Sequence, residues 1–395
     1  MILTKRQEEG LRIAVNRYNN GERYTIISGY AGTGKSTLVR FIIDALDIDE
    51  DKVCYCAYTG KAAEVLRKKG NKNAITLHKL LYDHFPRKGG GFFRKPKRHL
   101  DYNIIVVDEI SMVPTEMVEL LFSHLVYIIC LGDPFQLPPI KEEDDNHLLD
   151  NPHVFLEEVM RQATESEIIR LSMNIRQYKP LDIYKGNEVQ VLNSNSINAG
   201  MLLWADQILV ATNANRIWYN NSIRKLLNKG DEPEEDEKVI CLHNDWNELS
   251  LGGDPLVNGT IGYLENPVTR IIDFPAAART SVRNIKVIET NIRIEDDLFE
   301  LERLDKKLLT EEIPSLEWRD KYSLNSASIR NRFGDLVPKE FVYAYAITCH
   351  KAQGSEWSKV LVQEERFPFN KEEHARWLYT ACTRAEDRLV VIKAN

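Results

Sequence analysis

A glycine-rich stretch near the N-terminus, residues 29–37, has the composition of a phosphate-binding loop. It fits the pattern G-x-x-x-x-G-K-[ST], which ends on Lys35 and Ser36. Glycines let a backbone wrap an anion with its N–H groups turned inward, the lysine reaches the β and γ phosphates, and the hydroxyl holds Mg²⁺. A chance match in a chain of 395 residues has a probability of roughly one per cent. The stretch therefore predicts a nucleoside triphosphate site.

Two acids, Asp108 and Glu109, follow the apolar, β-branched run 103–107. Such a run is typical of a buried strand, and acids at its end can serve phosphoryl transfer. Asp108 would coordinate Mg²⁺, and Glu109 would orient and deprotonate the attacking water. Acidic pairs are most often solvated surface pairs, but the phosphate loop upstream favours the catalytic interpretation. Segment 132–139 also follows an apolar run; its Gln136 can sense the γ-phosphate or hold the water, and a proline-rich turn is the alternative.

Apolar runs alternate with helical spacings along most of the chain, which predicts parallel sheets with helices on both faces. Ligands of such sheets bind at the carboxyl ends of the strands, where the phosphate loop, Asp108, Glu109 and Asp133 all lie. Two segments interrupt the pattern. Residues 85–98 combine glycines, paired aromatics and a basic cluster, which predicts a projecting hairpin. Residues 231–337 hold short β-like segments, which predict a small β domain inserted into a second α/β domain.

Composition excludes several classes of protein. The chain is 43% hydrophobic and 28% charged, and it has neither a membrane-length apolar run nor a signal-peptide core. A cytosolic protein without membrane contact is expected. Its six cysteines are scattered without a C-x-x-C pair, which predicts buried, reduced thiols and indicates no zinc site. The net charge of −7 does not indicate nucleic-acid binding, so any such binding would depend on local basic segments.

The ordered motifs resemble those of superfamily 1 helicases, specifically the superfamily 1B group of RecD-like and phage Dda-like proteins, over nearly the whole chain. The matching segments, in family order, are 29–36 (motif I), 59–63 (Ia), 76–78, 108–112 (II), 132–139 (III), 160–162 (IV), 258–259, 347–356 (V) and 379–385 (VI). Two positions depart from the family pattern, since Tyr30 and Tyr58 stand where proline is common.

This resemblance implies an α/β fold with two RecA-like parallel-sheet motor domains. It also implies a small hairpin insertion in the first motor domain and an SH3-like β domain inserted in the second. The implied boundaries are 1–82 and 100–158 for the first motor domain (1A), 83–99 for the hairpin (1B), 159–230 and 338–395 for the second motor domain (2A), and 231–337 for the β domain (2B). Segment 265–337 matches no family pattern. Its expected helical piece at 300–309, and Trp318, could clamp DNA or dock a replication partner.

Roles in the nucleotide site follow from the same resemblance. Catalysis is assigned to Lys35, Asp108, Glu109 and Gln136, with Arg161 and Arg384 as arginine fingers across the cleft between the motor domains. ATP binding is assigned to Gln7, Gly32, Thr33, Gly34, Lys35, Ser36, Thr37, Gly354 and Glu356. Mg²⁺ is assigned to Ser36 and Asp108. By composition alone, each arginine would more often be a surface residue.

The implied DNA contacts are Tyr58, Thr59, Lys61, His78, Phe92, Phe93, Asn213, Thr348, His350 and Lys351. Phe92 or Phe93 could stack on the last base pair as a strand-separating pin, and a disordered basic loop is the alternative. Tyr58 could stack on a base or simply pack. The implied partners are single-stranded DNA and single-strand/duplex junctions. A replication or single-strand-binding protein is a further candidate, and the motor is expected to be monomeric.

The expected function is an ATP-dependent DNA helicase that moves 5′ to 3′ on single-stranded DNA and unwinds duplex. The residues themselves indicate an ATPase, whereas unwinding and polarity come from the resemblance. Two alternatives stay open: a single-strand-stimulated translocase that displaces proteins, and an ATP-gated DNA-binding or loading factor. A compact chain with short insertions favours a replication or recombination role in a phage, and hence the host cytoplasm.

Overall fold

The computed structural model describes residues 3–86, 92–138, 146–160, 163–273, 284–294, 297–310, 338–367 and 370–394. The chain divides into two compact units. Unit 1 comprises Met1–Tyr82, Pro96–Asn213 and Ile347–Asn395, and unit 2 comprises Asp83–Lys95 and Ala214–Ala346.

The secondary structure alternates strands and helices over most of unit 1 and consists mainly of strands in unit 2. The described strands are β1 Tyr24–Gly29, β2 Val53–Ala57, β3 Ile75–Thr76, β4 Tyr82–Pro86, β5 Phe92–Pro96, β6 Ile104–Asp108, β7 Tyr127–Gly132, β8 Val154–Leu156, β9 Tyr184–Lys185, β10 Val189–Asn193, β11 Gln207–Val210, β12 Lys238–Cys241, β13 Asp245–Leu249, β14 Pro255–Leu256, β15 Ile261–Asp273, β16 Asn284–Ile294, β17 Asp297–Asp305, β18 Phe341–Tyr343, β19 Ala346–Thr348, β20 Trp357–Gln363 and β21 Ala385–Lys393. The described α-helices are α1 Lys5–Asn19, α2 Lys35–Ala45, α3 Gly60–Lys68, α4 Leu77–Leu81, α5 Thr115–Ser123, α6 Glu167–Arg176, α7 Ala199–Trp204, α8 Asn213–Leu226, α9 Lys306–Leu309 and α10 Lys371–Cys382.

The first sheet of unit 1 is parallel, with the strand order β3-β2-β6-β7-β1-β8. Its strands are continuous apolar runs because helices cover both faces. On one face Ile26 and Ile105 pack against α4 and α5. On the other face Ile27 and Val106 pack against α1 and α2. The carboxyl ends of β1, β6 and β7 meet at one edge, as predicted.

The second sheet of unit 1 has the strand order β19-β11-β20-β21-β10-β9. Strands β10, β11, β20 and β21 pair in parallel, and β9 is antiparallel to β10. Helix α10 belongs to this half of the chain and is almost entirely buried from Trp377 to its end at Cys382. All six cysteines of the chain are free and buried, which confirms the predicted thiols. Burial raises the pKa of the Cys54 thiol to about 12.

Unit 2 contains a five-stranded antiparallel sheet in the order β17-β16-β15-β12-β18. Separate two-stranded sheets are formed by β13 with β14 and by β4 with β5. The β4–β5 sheet lies where the hairpin is predicted. The SH3-like character of the larger sheet stays a prediction.

The expected helix at 300–309 is wrong over most of its length, because the chain is a strand to Asp305 and helical only over Lys306–Leu309. The apolar residues Leu301 and Leu304 are three apart, which imitates helical spacing. A bulge explains the spacing, since two steps along β16, from Ile288 to Thr290, face three steps along β17. The extra residue lets both leucines point into the core of the sheet.

The predicted start of the second motor domain at residue 338 is also wrong. The run 341–346 is not one motor-domain strand, because β18 pairs with β12 in the inserted sheet and only β19 joins the second motor sheet. Asn220 marks the crossover. Its side-chain amide donates to the carbonyls of Tyr343 and Ala346 and accepts from the Ala346 N–H.

A reciprocal junction joins the start of α6 to the β9–β10 turn. The Glu167 carboxylate accepts from the backbone N–H groups of Glu188 and Val189, both at 2.9 Å. The Glu188 carboxylate accepts in return from the Glu167 N–H, at 2.8 Å, and from the Ser166 hydroxyl, at 3.0 Å. The hydrogen bonds, first that from Val189, lower the pKa of Glu167 from 4.5 to about 2.

We expect Glu167→Gln to weaken this junction in a pH-dependent way. Because the folded state favours the carboxylate, its stabilisation is present above about pH 4.5 and is lost as the pH falls towards 2. The substitution should lower the free energy of unfolding by about 1–2 kcal/mol at pH 7, since the side chain is partly solvent-exposed. Thermal unfolding at pH 7 and pH 3.5 measures this, with exposed Glu165→Gln as the control. An equal loss at both pH values would contradict the assignment.

Candidate active site

The phosphate loop connects β1 to α2 and depends on two glycines in the left-handed backbone region. Gly32 has a φ of 76° and Gly34 a φ of 79°, values that side chains with a Cβ rarely adopt. A Cβ on Gly34 would also lie 2.4 Å from the Met160 sulfur and 2.5 Å from Gln7 Nε2. The loop can therefore close around its ligand only with glycine at this position.

Lys35 is the first residue of α2 and holds its ammonium group at the mouth of the loop. Its Nζ donates to the carbonyl oxygens of Gly29, at 2.7 Å, and Tyr30, at 3.2 Å. Burial raises the pKa values of Asp108 and Asp133, and the positive charge of Lys35 partly opposes this rise. A phosphate binding to Lys35 would replace backbone carbonyls as the acceptor.

Gln7 connects the start of α1 to the phosphate loop. Its Nε2 donates to the Thr33 carbonyl at 3.1 Å, and its Oε1 accepts from the Thr4 N–H at 3.0 Å. The Thr4 hydroxyl accepts from the Gln7 N–H, so the two residues form a capping box. Gln7 is 1% exposed and uses both ends of its amide in these bonds. Its predicted contact with adenine stays a prediction.

Tyr30, one of the two departures from the family pattern, packs beside the loop. The Arg176 guanidinium lies 3.6 Å from the centre of its ring, and the Phe155 ring packs edge-on at 5.4 Å. The aromatic ring thus fills space next to the loop, while the backbone and Lys35 remain available for phosphates.

The acid pair lies at the end of β6, as predicted. The Glu109 N–H donates to Asp108 Oδ1 at 2.9 Å, and Glu109 has a φ of 51°, which is uncommon outside glycine. Burial, followed by the charge of Glu109, raises the pKa of Asp108 to about 6. Strained backbone and a raised carboxyl pKa are both typical of catalytic positions.

Two predicted catalytic residues, Gln136 and Arg384, converge on a single carboxylate oxygen of a third, Oε1 of Glu109. Gln136 Nε2 donates to it at 3.2 Å, and Arg384 Nη1 lies 3.8 Å from it. Arg384 is 3% exposed, and its Nε donates to the Thr380 carbonyl at 3.1 Å. A second contact runs from its Nη1 to the Ser355 carbonyl at 3.4 Å. The guanidinium is therefore held beside the predicted general base.

Helix α10 makes further contacts with the first sheet that sequence reasoning missed. The Tyr379 hydroxyl accepts from the Ala31 N–H of the phosphate loop at 2.8 Å and donates to Asp133 Oδ2 at 2.6 Å. The Thr380 hydroxyl accepts from the Leu137 N–H at 2.9 Å. The signal available in the sequence was the adjacent hydroxyl side chains of Tyr379 and Thr380, which lie in the segment of α10 that the structure buries.

Gln353 makes another contact that was not predicted, from its Nε2 to the Leu137 carbonyl at 2.6 Å. The neighbouring Gly354 has a φ of 71°, and a Cβ there would lie 3.1 Å from the Ala62 Cβ and 3.5 Å from the Thr59 hydroxyl. The predicted motif V and motif Ia segments therefore lie against each other. Both carry predicted DNA contacts.

Glu356 lies in an ion pair with Lys69, just past the end of α3, at 2.6 Å. Burial of Glu356 opposes its ionisation, but the charges of Lys69 and Arg384 outweigh that effect and lower its pKa. Its predicted contact with the nucleotide stays a prediction.

The motif Ia side chains serve the local structure of α3. The Thr59 hydroxyl caps the helix by accepting from the Ala62 N–H at 3.1 Å. Lys61 Nζ lies 2.6 Å from the carboxylate of Glu64, a buried residue that Lys68 also contacts. Lys61 keeps 23% of its side chain exposed, so it can still face a phosphate.

His78 and Tyr58 pack together in this structure. The His78 ring is 1% exposed and lies between Tyr58, at a centroid distance of 5.4 Å, and Tyr82, at 6.3 Å. Of the two alternatives for Tyr58, packing is the one seen here. Contact of the His78 ring with DNA would require the rings to separate, whereas Tyr58 is partly exposed.

The remaining predicted residues fall into three groups. Thr348, His350 and Lys351 lie at a short 3-10 helix, where burial lowers the pKa of His350 and favours its neutral form. Asn213 is exposed at the start of α8. Arg161 and the side chains of Phe92 and Phe93 lie outside the described residues.

A phosphate loop after a parallel strand, acids at the end of a neighbouring strand and an arginine from a second sheet define the RecA-like P-loop NTPases. Comparison with known proteins narrows this class. The family model for an AAA domain matches residues 3–195, and that for the UvrD-like helicase C-terminal domain matches residues 343–392. These two matches, together with the relatives described next, make the chain similar to superfamily 1B helicases of the RecD, Dda and Pif1 type.

Individual relatives differ in how much of their length the chain covers. It is 24% identical to the uncharacterized protein R530 of Acanthamoeba polyphaga mimivirus, over 98% of this chain and 99% of that protein. It is 26% identical to the ATP-dependent RecD2 DNA helicase of Deinococcus radiodurans, over 93% of this chain. The chain spans only 46% of the RecD2 protein.

A solved structure of two coordinating Pif1 helicases at forked double-stranded DNA resembles the whole chain. The TM-score is 0.54 and the identity 19%, over 100% of this chain and 92% of that one. This likeness concerns the fold, and it confirms the predicted α/β architecture with two RecA-like sheets. None of the helices in the described ranges is long and apolar enough to cross a membrane.

We expect Arg384→Ala to lower the ATPase kcat by about 10³-fold, because a guanidinium that stabilises the transition state contributes that much in related phosphoryl transfers. Nucleotide binding should be largely kept, since the phosphate loop is unchanged. Steady-state ATPase rates and binding of a fluorescent nucleotide measure the two effects. Exposed Arg388→Ala, four residues further along the chain, is the matched control. A normal rate would remove Arg384 as an arginine finger.

Proposed function

We propose that this chain hydrolyses Mg-ATP between its two RecA-like sheets and uses the energy to move 5′ to 3′ along single-stranded DNA and unwind duplex. The observation that carries the proposal is the convergence of Gln136 and Arg384 on Glu109 Oε1, next to the loop that holds Lys35. A base, a charge-stabilising arginine and a phosphate-binding lysine in one place are what phosphoryl transfer to water requires.

Each residue has a distinct task in this chemistry. Glu109 orients and deprotonates the attacking water, and Gln136 fixes the position of the Glu109 carboxylate. Lys35 neutralises the β and γ phosphates, and Arg384 stabilises the charge of the transition state. Arg384 comes from the half of the chain that forms the second sheet. Its approach to the triphosphate therefore couples closure of the two sheets to ATP binding, and their separation to hydrolysis.

Asp108 and Ser36 fit a magnesium ion. The Asp108 carboxyl lies next to Glu109, is partly buried and has a raised pKa, so a divalent cation beside it would relieve the repulsion between the two acids. Ser36 is exposed in the first turn of α2. Mg²⁺ usually takes one or two carboxylates plus phosphates and water. When bound, it neutralises phosphate charge and orients the γ-phosphoryl group.

A DNA track is proposed over the motif Ia and motif V segments, which lie against each other at Gly354. Its residues are the predicted set of Tyr58, Thr59, Lys61, His78, Asn213, Thr348, His350 and Lys351. Phosphate contacts of this kind suit a motor that ignores sequence. The similarity to a protein named as the RecD2 DNA helicase supports DNA as the substrate. The 5′ to 3′ direction is proposed from the motif resemblance.

The domain roles follow the same pattern. We assign 1–82 with 100–158 to motor domain 1A, and 83–99 to a hairpin 1B whose Phe92 or Phe93 separates strands. The second motor domain 2A corresponds to 159–230 with the chain after β18, and 2B is the inserted sheet. A monomeric motor acting in replication or recombination, with a single-strand-binding or replication protein as partner, is the context that we propose.

A strand-displacement assay tests the proposal. Blunt, 5′-tailed and 3′-tailed duplexes are compared with and without ATP, and we expect unwinding of only the 5′-tailed substrate. A preference for the 3′ tail would reverse the polarity. Displacement of a bound protein without unwinding would favour the translocase. Binding without single-strand-stimulated ATP hydrolysis would favour the loading factor.

We expect Lys35→Ala to abolish ATP hydrolysis and strand displacement while the chain still folds. The substitution removes the ammonium group that neutralises the phosphates. The same group lowers the pKa values of Asp108 and Asp133, so both would rise without it. ATPase rates and melting temperature are measured together, with exposed Lys52→Ala as the control. Surviving ATPase activity would refute the assignment of the phosphate loop.

A further inference from the structure

The Tyr379 hydroxyl is a buried polar group of α10 whose hydrogen-bond partners, Ala31 and Asp133, lie in the loops that follow β1 and β7 of the first sheet. Tyr379 is 1% exposed, and its ring packs edge-on against Phe135 at a centroid distance of 5.2 Å. The hydroxyl accepts from the Ala31 N–H and donates to the Asp133 carboxylate. One oxygen thus acts as acceptor and donor at once, which phenylalanine cannot do.

Both partners belong to the nucleotide site. Ala31 lies inside the phosphate loop, between Gly29 and Gly32. Asp133 directly follows β7, is 2% exposed and also accepts from the Phe135 N–H at 3.0 Å. A movement of the loop on ligand binding would therefore change the hydrogen bond between the Ala31 N–H and the Tyr379 hydroxyl.

The same end of α10 leads to the arginine beside the general base. Tyr379 lies in the last turn of α10, and Arg384 is the second residue after the helix ends at Cys382. Between them, the Thr380 hydroxyl accepts from the Leu137 N–H, and the Thr380 carbonyl accepts from Arg384 Nε. Ala31 in the loop is thus connected to the guanidinium beside Glu109 through its hydrogen bond to Tyr379, the adjoining residue Thr380, and the hydrogen bond from Arg384 to the Thr380 carbonyl.

We propose that Tyr379, held by Asp133, is a positioning residue that couples the phosphate loop to Arg384. The pair fixes α10 against the loop, so that the guanidinium reaches Glu109 when the loop is in its ligand-binding conformation. This inference rests on the proposed ATPase, and it assigns a role to the hydroxyl rather than to the ring.

Tyr379→Phe removes the hydroxyl and keeps the buried ring. We expect the ATPase kcat, at saturating single-stranded DNA, to fall by about tenfold, while KM for ATP changes by less than about threefold. Nucleotide binding should survive because Lys35 and the glycines are unchanged. A structural role alone would lower the melting temperature without lowering kcat per folded molecule.

Tyr127→Phe is a matched control. Tyr127 is also buried, and its hydroxyl also makes two hydrogen bonds, to the Thr25 hydroxyl at 2.5 Å and the Ala14 carbonyl at 3.2 Å. These contacts lie in the core of the first sheet. We expect this variant to lose comparable stability and keep its kcat.

A double-mutant cycle with Asp133→Asn completes the test. An amide keeps one acceptor oxygen, which the Phe135 N–H occupies, so its NH₂ group faces the Tyr379 hydroxyl and that hydroxyl loses its acceptor. If the two residues act as one unit, the double variant is no slower than the slower single variant. Multiplying effects, or a Tyr379→Phe enzyme with normal kcat, would overturn the inference. An inactive wild-type protein would instead reject the proposed ATPase.

Discussion

Side chains from elements next to both RecA-like sheets approach one carboxylate oxygen, Oε1 of Glu109. The candidate site depends on these two contacts. Gln136 reaches it from the turn after β7, and Arg384 reaches it from the end of α10. Glu109 is placed there by a left-handed backbone conformation directly after β6. Such conformations are held by their surroundings rather than by local preference. Hydrolysis at this point can therefore respond to the relative position of the two sheets.

Burial and a nearby positive charge have opposite effects on the acidic side chains around this oxygen. Burial raises the pKa values of Asp108 and Asp133, and Lys35 opposes both shifts. The Lys35 ammonium in turn donates to carbonyls of its own loop. A site arranged in this way is prepared for a polyanion with its cation, because both would satisfy groups that the protein alone satisfies only partly.

Local patterns predicted most of the motor sheets and failed in the inserted sheet. Short continuous apolar runs such as β7, bounded by turn residues, are typical of strands covered on both faces. The spacing of Leu301 and Leu304 predicts a helix, whereas the structure has a strand in which a bulge produces that spacing. The run 341–346 reads as one strand, whereas its two ends pair with different sheets.

The sequence by itself determined the phosphate loop, the acids at the strand ends and the resemblance to helicases, because these depend on residue types at short spacing and on a general rule for parallel sheets. Only the tertiary structure decided that Tyr379 bonds to Asp133, that Gln7 connects α1 to the loop, and that His78 is buried. These contacts join residues from different elements of the fold. Which of them meet depends on strand order and helix packing, and local spacing in the chain does not encode either.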